Sequence, residues 1–122
     1  MSAAAAAVRE VLLVLGILPT RSALQGECCS LALENGWQLR LCAAPCLHAW
    51  LVIPCALWER AGMAERLLAR LDLRSGRTEQ LQLVAHQEHL SVLWVHDGPA
   101  PDAQMLMARL EALVSWAVRG LG

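Results

Sequence analysis

Along the chain the spacing of apolar residues changes from helical to alternating and back: helical, three short alternating runs, helical, two alternating runs, helical. In the first stretch, Ala3 to Leu15, Val8, Val11, Leu12 and Leu15 fall on one helical face, and Gly16 and Pro19 end it. Glu27 to Leu33 reads as a strand. Asn35-Gly36 supplies the two positive-φ positions of a tight two-residue hairpin, and Trp37 to Cys42 returns as the second strand. There Trp37, Leu39 and Leu41 alternate with Gln38 and Arg40, as in a sheet with one face on a core and one in water. A third run, Leu47 to Ile53, is apolar on both faces and is stopped by Pro54.

Glu59 to Leu71 reads as a second helix with Met63, Leu67, Leu68 and Leu71 on its apolar side, leaving through the turn Arg74-Ser75-Gly76. Thr78 to Ala85 and Leu90 to His96 form a second hairpin across the polar His86-Gln87-Glu88-His89. Asp97-Gly98-Pro99 breaks the sheet. Pro101 suits the first position of a last helix and Asp102 its positive end, and Leu106, Leu110, Leu113 and Ala117 line that helix's apolar face. The pattern predicts an α+β fold of order α-β-β-β-α-β-β-α: a twisted antiparallel sheet with helices packed on it, in one domain spanning residues 1–122.

Composition adds a requirement for cover. Apolar residues make up 57% of the 122, and the mean hydropathy is +0.42. Those values are high for a small monomer, so a partner is expected over part of the surface. Ten arginines against eleven acidic residues leave a net charge of −1 with no basic block, which argues against nucleic acid as a partner. Val11 to Leu18, preceded by Arg9 and Glu10 in the same helix and followed by no small-residue cleavage site, is not expected to be a signal peptide. Ala43 to Trp58 is interrupted by Pro45, His48 and Pro54 and falls short of the roughly 20 residues that cross a bilayer. A cytosolic protein without membrane contact is expected, its five cysteines reduced.

The candidate chemistry is thin. Cys42, Cys46 and His48, with Cys28 and Cys29 on a neighbouring strand, have ligand types that suit zinc, but they lack a Cys-x2-Cys pair, and Cys28 and Cys29 point to opposite faces of their strand. No metal or cofactor is expected. His86 and His89 flank a predicted turn and His96 closes the last strand, and they read as solvated turn residues rather than a cluster. The chain has no phosphate loop, nucleophile elbow or His-Glu-x-x-His, and Glu27, Glu34, Glu79 and Glu88 read as a solvated rim. The expectation is a binding protein and not an enzyme. Five tryptophans stand in a chain with neither Tyr nor Phe. Trp37 and Trp94 fit inward positions, while Trp50, Trp58 and Trp116 are candidates for burial against another chain.

The whole chain resembles a class I type III secretion chaperone, a bacterial family with this element order. Leu31-Ala32-Leu33-Glu34-Asn35-Gly36-Trp37-Gln38-Leu39 resembles the family's first hairpin, and Arg66 to Leu73 the end of its middle helix. Glu79 to Val95 resembles the closing hairpin, and Leu106 to Trp116, with Leu110-Glu111-Ala112-Leu113, the last helix. The resemblance implies a homodimer, and the two-sided Leu47–Ile53 run gives a physical reason for one. The second helix and the third or fourth strand are expected to form its twofold interface through Trp50, Trp58, Met63, Leu67, Leu68 and Leu71.

The resemblance also implies capture of an effector's extended N-terminal segment, with the secretion ATPase as a further candidate partner. The first helix is the expected groove, through Val11, Leu13, Val14, Ile17 and Leu18, because its apolar residues run nearly all round. Family members are often acidic. With a pI near 6.4, this chain leaves hydrophobic contact as the main contribution to such binding. The competing reading is a roadblock- or longin-type adaptor that scaffolds a GTPase, which would place a helix after two strands and not three.

Overall fold

The computed structural model describes residues 3–14, 28–44, 46–73, 80–86, 88–96 and 98–121. The elements are α1 (Ala3–Val14), β1 (Cys28–Ala32), β2 (Gln38–Cys42), β3 (His48–Pro54), α2 (Leu57–Leu73), β4 (Gln80–Ala85), β5 (His89–Val95) and α3 (Ala103–Leu121). The predicted α+β order is the observed one. The Gly16–Pro19 stop and the Arg74-Ser75-Gly76 turn lie outside the described residues.

All strand pairings are antiparallel, in the order β1-β2-β3-β5-β4. Strand periodicity divides the side chains between two faces. On the inner face Leu39 pairs with Leu51 and Leu41 with Ala49, and across the next ladder Ala49 pairs with Trp94, Leu51 with Val92 and Ile53 with Leu90. These residues are buried in one core with Val8, Val11 and Leu12 of α1, Leu67 of α2, and Leu106, Leu110, Leu113, Trp116 and Ala117 of α3. On the outer face Trp50, Val52, Val84, Leu93 and Val95 are only half-buried. The Leu47–Ile53 run is two-sided as read, and the helices cover one of its sides.

The helix starts follow from local hydrogen bonding. Asp102 caps α3: its Oδ1 accepts from the Met105 N–H at 2.8 Å and its carbonyl from the Leu106 N–H at 2.9 Å. Pro101 therefore precedes the cap instead of occupying the first helical position. At the start of α2 the Ala56 N–H donates to Glu59 Oε1 at 3.2 Å, the Glu half of a capping box. Pro54 does not stop β3 but forms its last residue, opposite His89. Near the end of α3 a Cβ on Gly120 would lie 2.6 Å from the Arg70 side chain, so glycine there lets α2 and α3 approach closely.

The first hairpin has a longer loop than the two-residue turn expected. Gly36 N–H donates to the Leu33 carbonyl at 3.1 Å and Leu33 N–H to the Trp37 carbonyl at 2.8 Å, with Gly36 at φ 89°. The loop is thus the three residues Glu34-Asn35-Gly36, a turn followed by a left-handed glycine, and only the glycine needs positive φ. Asn35 contributes differently, its Oδ1 accepting from the Trp37 N–H at 3.0 Å. The extra loop residue moves the register by one and pairs Leu31 with Leu39 and Cys28 with Cys42.

Two neighbouring leucines of α2 face opposite environments, since Leu67 is fully buried and Leu68 is 49% exposed. Leu67→Ala is expected to cost about 2–5 kcal/mol and Leu68→Ala less than about 1 kcal/mol, as read by urea denaturation at low protein concentration.

Candidate binding groove

The groove lies where α1, the β1–β2 hairpin and α3 meet. Helix α1 opens with Ala3 to Ala7, whose small side chains favour the helix and permit close packing, and its next two turns bury Val8, Val11 and Leu12. Along α3, Met107, Leu110, Glu111 and Val114 recur at helical spacing on the side that faces the hairpin. The hairpin contributes Leu31, Leu33 and Leu39, and α1 contributes Val11. Together they enclose an open cavity of about 390 Å³, apolar within and bordered by the exposed Glu111 and Ser115. That volume falls in the range of ligand-sized clefts.

Beside the groove, β1 is an edge strand. Among the described residues no strand pairs with its outer side, so alternate backbone N–H and C=O groups there are open to an added strand. At the C-terminal end of α1, Leu13 is 51% and Val14 67% exposed. A second cavity of about 530 Å³ lies on the other flank of α3, between Arg70 of α2 and Ala108, Ala112, Trp116 and Arg119, and shares Glu111 and Ser115 with the first. Its lining is about evenly mixed, where that of the first is mostly apolar.

The expected groove residues therefore separate. Val11 lines the cavity from a buried position, Leu13 and Val14 are exposed on α1 and are not among its lining residues, and Ile17 and Leu18 lie outside the described residues. The larger part of the wall, from the hairpin and α3, was not singled out from the sequence. The signal for it was present in the i, i+3, i+4, i+7 recurrence of Met107, Leu110, Glu111 and Val114, a second stripe beside the core stripe of α3.

The expected dimer residues scatter further. Trp58 is 84% exposed and Leu68 is exposed on α2, whereas Leu67 is fully buried in its own core and Met63 packs against that core. Trp50 sits on the outer face of the sheet. The side chain of Leu71 lies outside the described ones. Strand β3 has a neighbour on each side, so it can offer another chain its outer face but no edge; β4 is the second edge strand. Trp116, a candidate for burial against another chain, is 6% exposed in the protein's own core, and Trp94 is inward as expected. Trp37 is half-buried against the core.

The cysteines are not all reduced. Cys28 and Cys42 are joined by a disulfide, while Cys29, Cys46 and Cys55 are free. Burial pushes the Cys29 thiol above its usual range, which keeps it protonated. Cys42 and His48 are register partners in the β2–β3 ladder, but Cys42 is taken up by the disulfide, and the His48 ring Nδ1 lies 2.8 Å from the Cys46 carbonyl oxygen. Among the described residues no group of three or more His, Cys, Asp or Glu could hold a metal ion. The histidines of the second hairpin are engaged locally. His86 and His89 stack at 4.3 Å, and His96 Nε2 meets the Pro99 carbonyl at 2.7 Å. No described helix is long and apolar enough to cross a membrane.

No protein-family model matches the chain, and no curated protein matches it. The fold order and the groove carry the functional argument.

Val114→Glu would put a second carboxylate beside Glu111 at an apolar wall. It is expected to weaken binding of an apolar fluorescent dye by about tenfold or more without changing the far-UV circular dichroism, because an unpaired charge in an apolar site costs free energy. Unchanged dye binding would mean that the dye does not use this groove.

Proposed function

We propose that this chain is a type III secretion chaperone, a cytosolic bacterial protein that works as a homodimer and holds the extended N-terminal segment of an effector in a secretion-competent state. The observation that carries the reading is the apolar groove beside the open edge of β1, on a fold whose α-β-β-β-α-β-β-α order is that of the family. An extended segment has the two features this site accepts: a backbone that can join a strand edge and alternate apolar side chains that can enter a cleft. The mechanism is binding without chemistry. Ordering a disordered segment costs free energy, so a large contact is required, and the complex stays releasable by a secretion ATPase.

Pairing of β2 with β3 along Gln38–Cys42 supports this reading over the adaptor, which would have a helix in place of β3. The near-neutral charge makes apolar contact the main source of affinity. For the homodimer, the surfaces available are the exposed Trp58 and Leu68 of α2 and the half-buried outer face around Trp50.

The test is a pull-down of the tagged chain from its own bacterial cytosol, with limited proteolysis of what co-purifies and the mass of the particle. Two copies protecting roughly 50–100 residues near the N-terminus of one larger protein are expected, that length being what wrapping a large surface demands. A dimer with no client, or one holding a folded GTPase, would overturn the reading in favour of the adaptor.

Leu13→Asp is expected to abolish capture of that segment while the dimer stays folded; unchanged capture would remove α1 from the site. Trp58→Ala combined with Leu68→Arg is expected to convert the dimer to monomer in sedimentation velocity, and an unchanged dimer would exclude α2 from the interface.

A further inference from the structure

We propose that Cys28 and Cys42 form a reversible thiol–disulfide lock that sets how firmly the edge strand β1, one wall of the apolar groove, is held to the sheet. The two residues are register partners at the end of the β1–β2 ladder, with Cα atoms 4.0 Å apart and both side chains on the outer face. The bond therefore lies behind the wall it fixes. On the inner face of the same strand Leu31 lines the cavity, and Leu33 follows it just beyond the strand end. Among the described residues β1 has a single strand neighbour and five register pairs, so the cross-link closes the end of the strand far from the hairpin loop. Without it, that end is held by the ladder and by the packing of Cys29 and Leu31 on the core.

The two sulfurs differ in access, which fixes the order of chemistry. Cys28 is half-buried, whereas Cys42 is 2% exposed. With a low-molecular-weight disulfide such as oxidised glutathione as oxidant, the Cys28 thiolate attacks one of its sulfurs, and one small thiol leaves with a proton. The Cys42 thiolate then attacks the Cys28 sulfur of the mixed disulfide and expels the second small thiol. One external disulfide is reduced to two thiols, and two protein thiols become one disulfide. Excess small thiol reverses the sequence, entering at the more accessible Cys28. The proposal concerns the strand and does not depend on the identity of any client.

The test equilibrates the full chain in glutathione buffers from fully reduced to fully oxidised, quenches in acid, then denatures and alkylates it for intact mass and peptide mapping. Five cysteines are expected to take label at the reduced end and three, Cys29, Cys46 and Cys55, at the oxidised end. In parallel, hydrogen exchange at residues 29–32, read after reduction in the quench, is expected to be about tenfold or more faster in the reduced protein, while α3 is unchanged. Cys28→Ser should exchange like the reduced protein at every glutathione ratio. If that variant does not fold, reduced wild-type protein makes the same comparison, and Cys46→Ser should keep the wild-type response. Five labelled cysteines at all ratios, a glutathione adduct left unresolved on Cys28, or equal exchange in the two states would each overturn the lock.

Discussion

The pairing of β3 with β5 is the constraint on which the rest depends. It joins a three-stranded meander to a later hairpin across α2 and β4, so the sheet is continuous only because His48–Pro54 and His89–Val95 meet along their whole length. That ladder sets Ala49 opposite Trp94, a small residue beside a large one, and places Leu51 against Val92 and Ile53 against Leu90. The resulting floor is what α3 covers with Leu106, Leu110, Leu113 and Trp116. Burial of these side chains supplies most of the driving force, at roughly 25 cal/mol per Å² of apolar area. It also leaves Trp94 Nε1 buried without a hydrogen-bond partner among the described residues, a cost that the packing must exceed.

The groove follows from this floor. Helix α3 crosses it, and α1 lies over β2 and against α3, burying one face in four residues, Ala7, Val8, Val11 and Leu12. Leu33 and Leu39 on one side and Met107 and Val114 on the other line a cleft to which α1 contributes Val11. Val11, Leu31, Leu39 and Leu110 of this wall are buried, whereas Leu33, Met107 and Val114 are half-buried among the described residues and offer the apolar surface that a ligand could cover.

Periodicity was enough to read the element order, because each element switches cleanly between a period near 3.6 and a period of two. Register was harder. A two-residue Asn35-Gly36 loop would pair Leu31 with Arg40 and Cys29 with Cys42; the three-residue loop pairs Leu31 with Leu39 and Cys28 with Cys42. The alternation itself favours the second, since it sets apolar against apolar on one face, and that consistency outweighs the Asn-Gly preference. Had it been applied, the disulfide would have been legible too. The site was only partly legible for a different reason. On one sequence, an apolar position that lines a cleft and one that fills a core look alike, so Leu67 and Leu68 cannot be separated until α2 is placed against β4, β5 and α3. Trp116, a candidate for either cover, falls to the protein's own core because the apolar arc of α3 is broad enough to include it.

The two faces of the sheet are left with different tasks. Client capture, as proposed, uses the inner side at the open end of the groove, whereas a second copy covering Trp50, Val52 and Leu93 would use the outer side. These surfaces do not compete, yet they are connected through the thin β1–β2 hairpin, where Leu31 and Leu39 face the groove and Cys28 and Cys42 face away. Because successive side chains of a strand alternate between faces, the Cys28–Cys42 pair on the outer side and the groove-lining Leu31 on the inner side share one short strand. Among the described residues β1 pairs in the sheet with β2 alone, so the proposed lock acts at the edge of the sheet and not on the β3–β5 ladder.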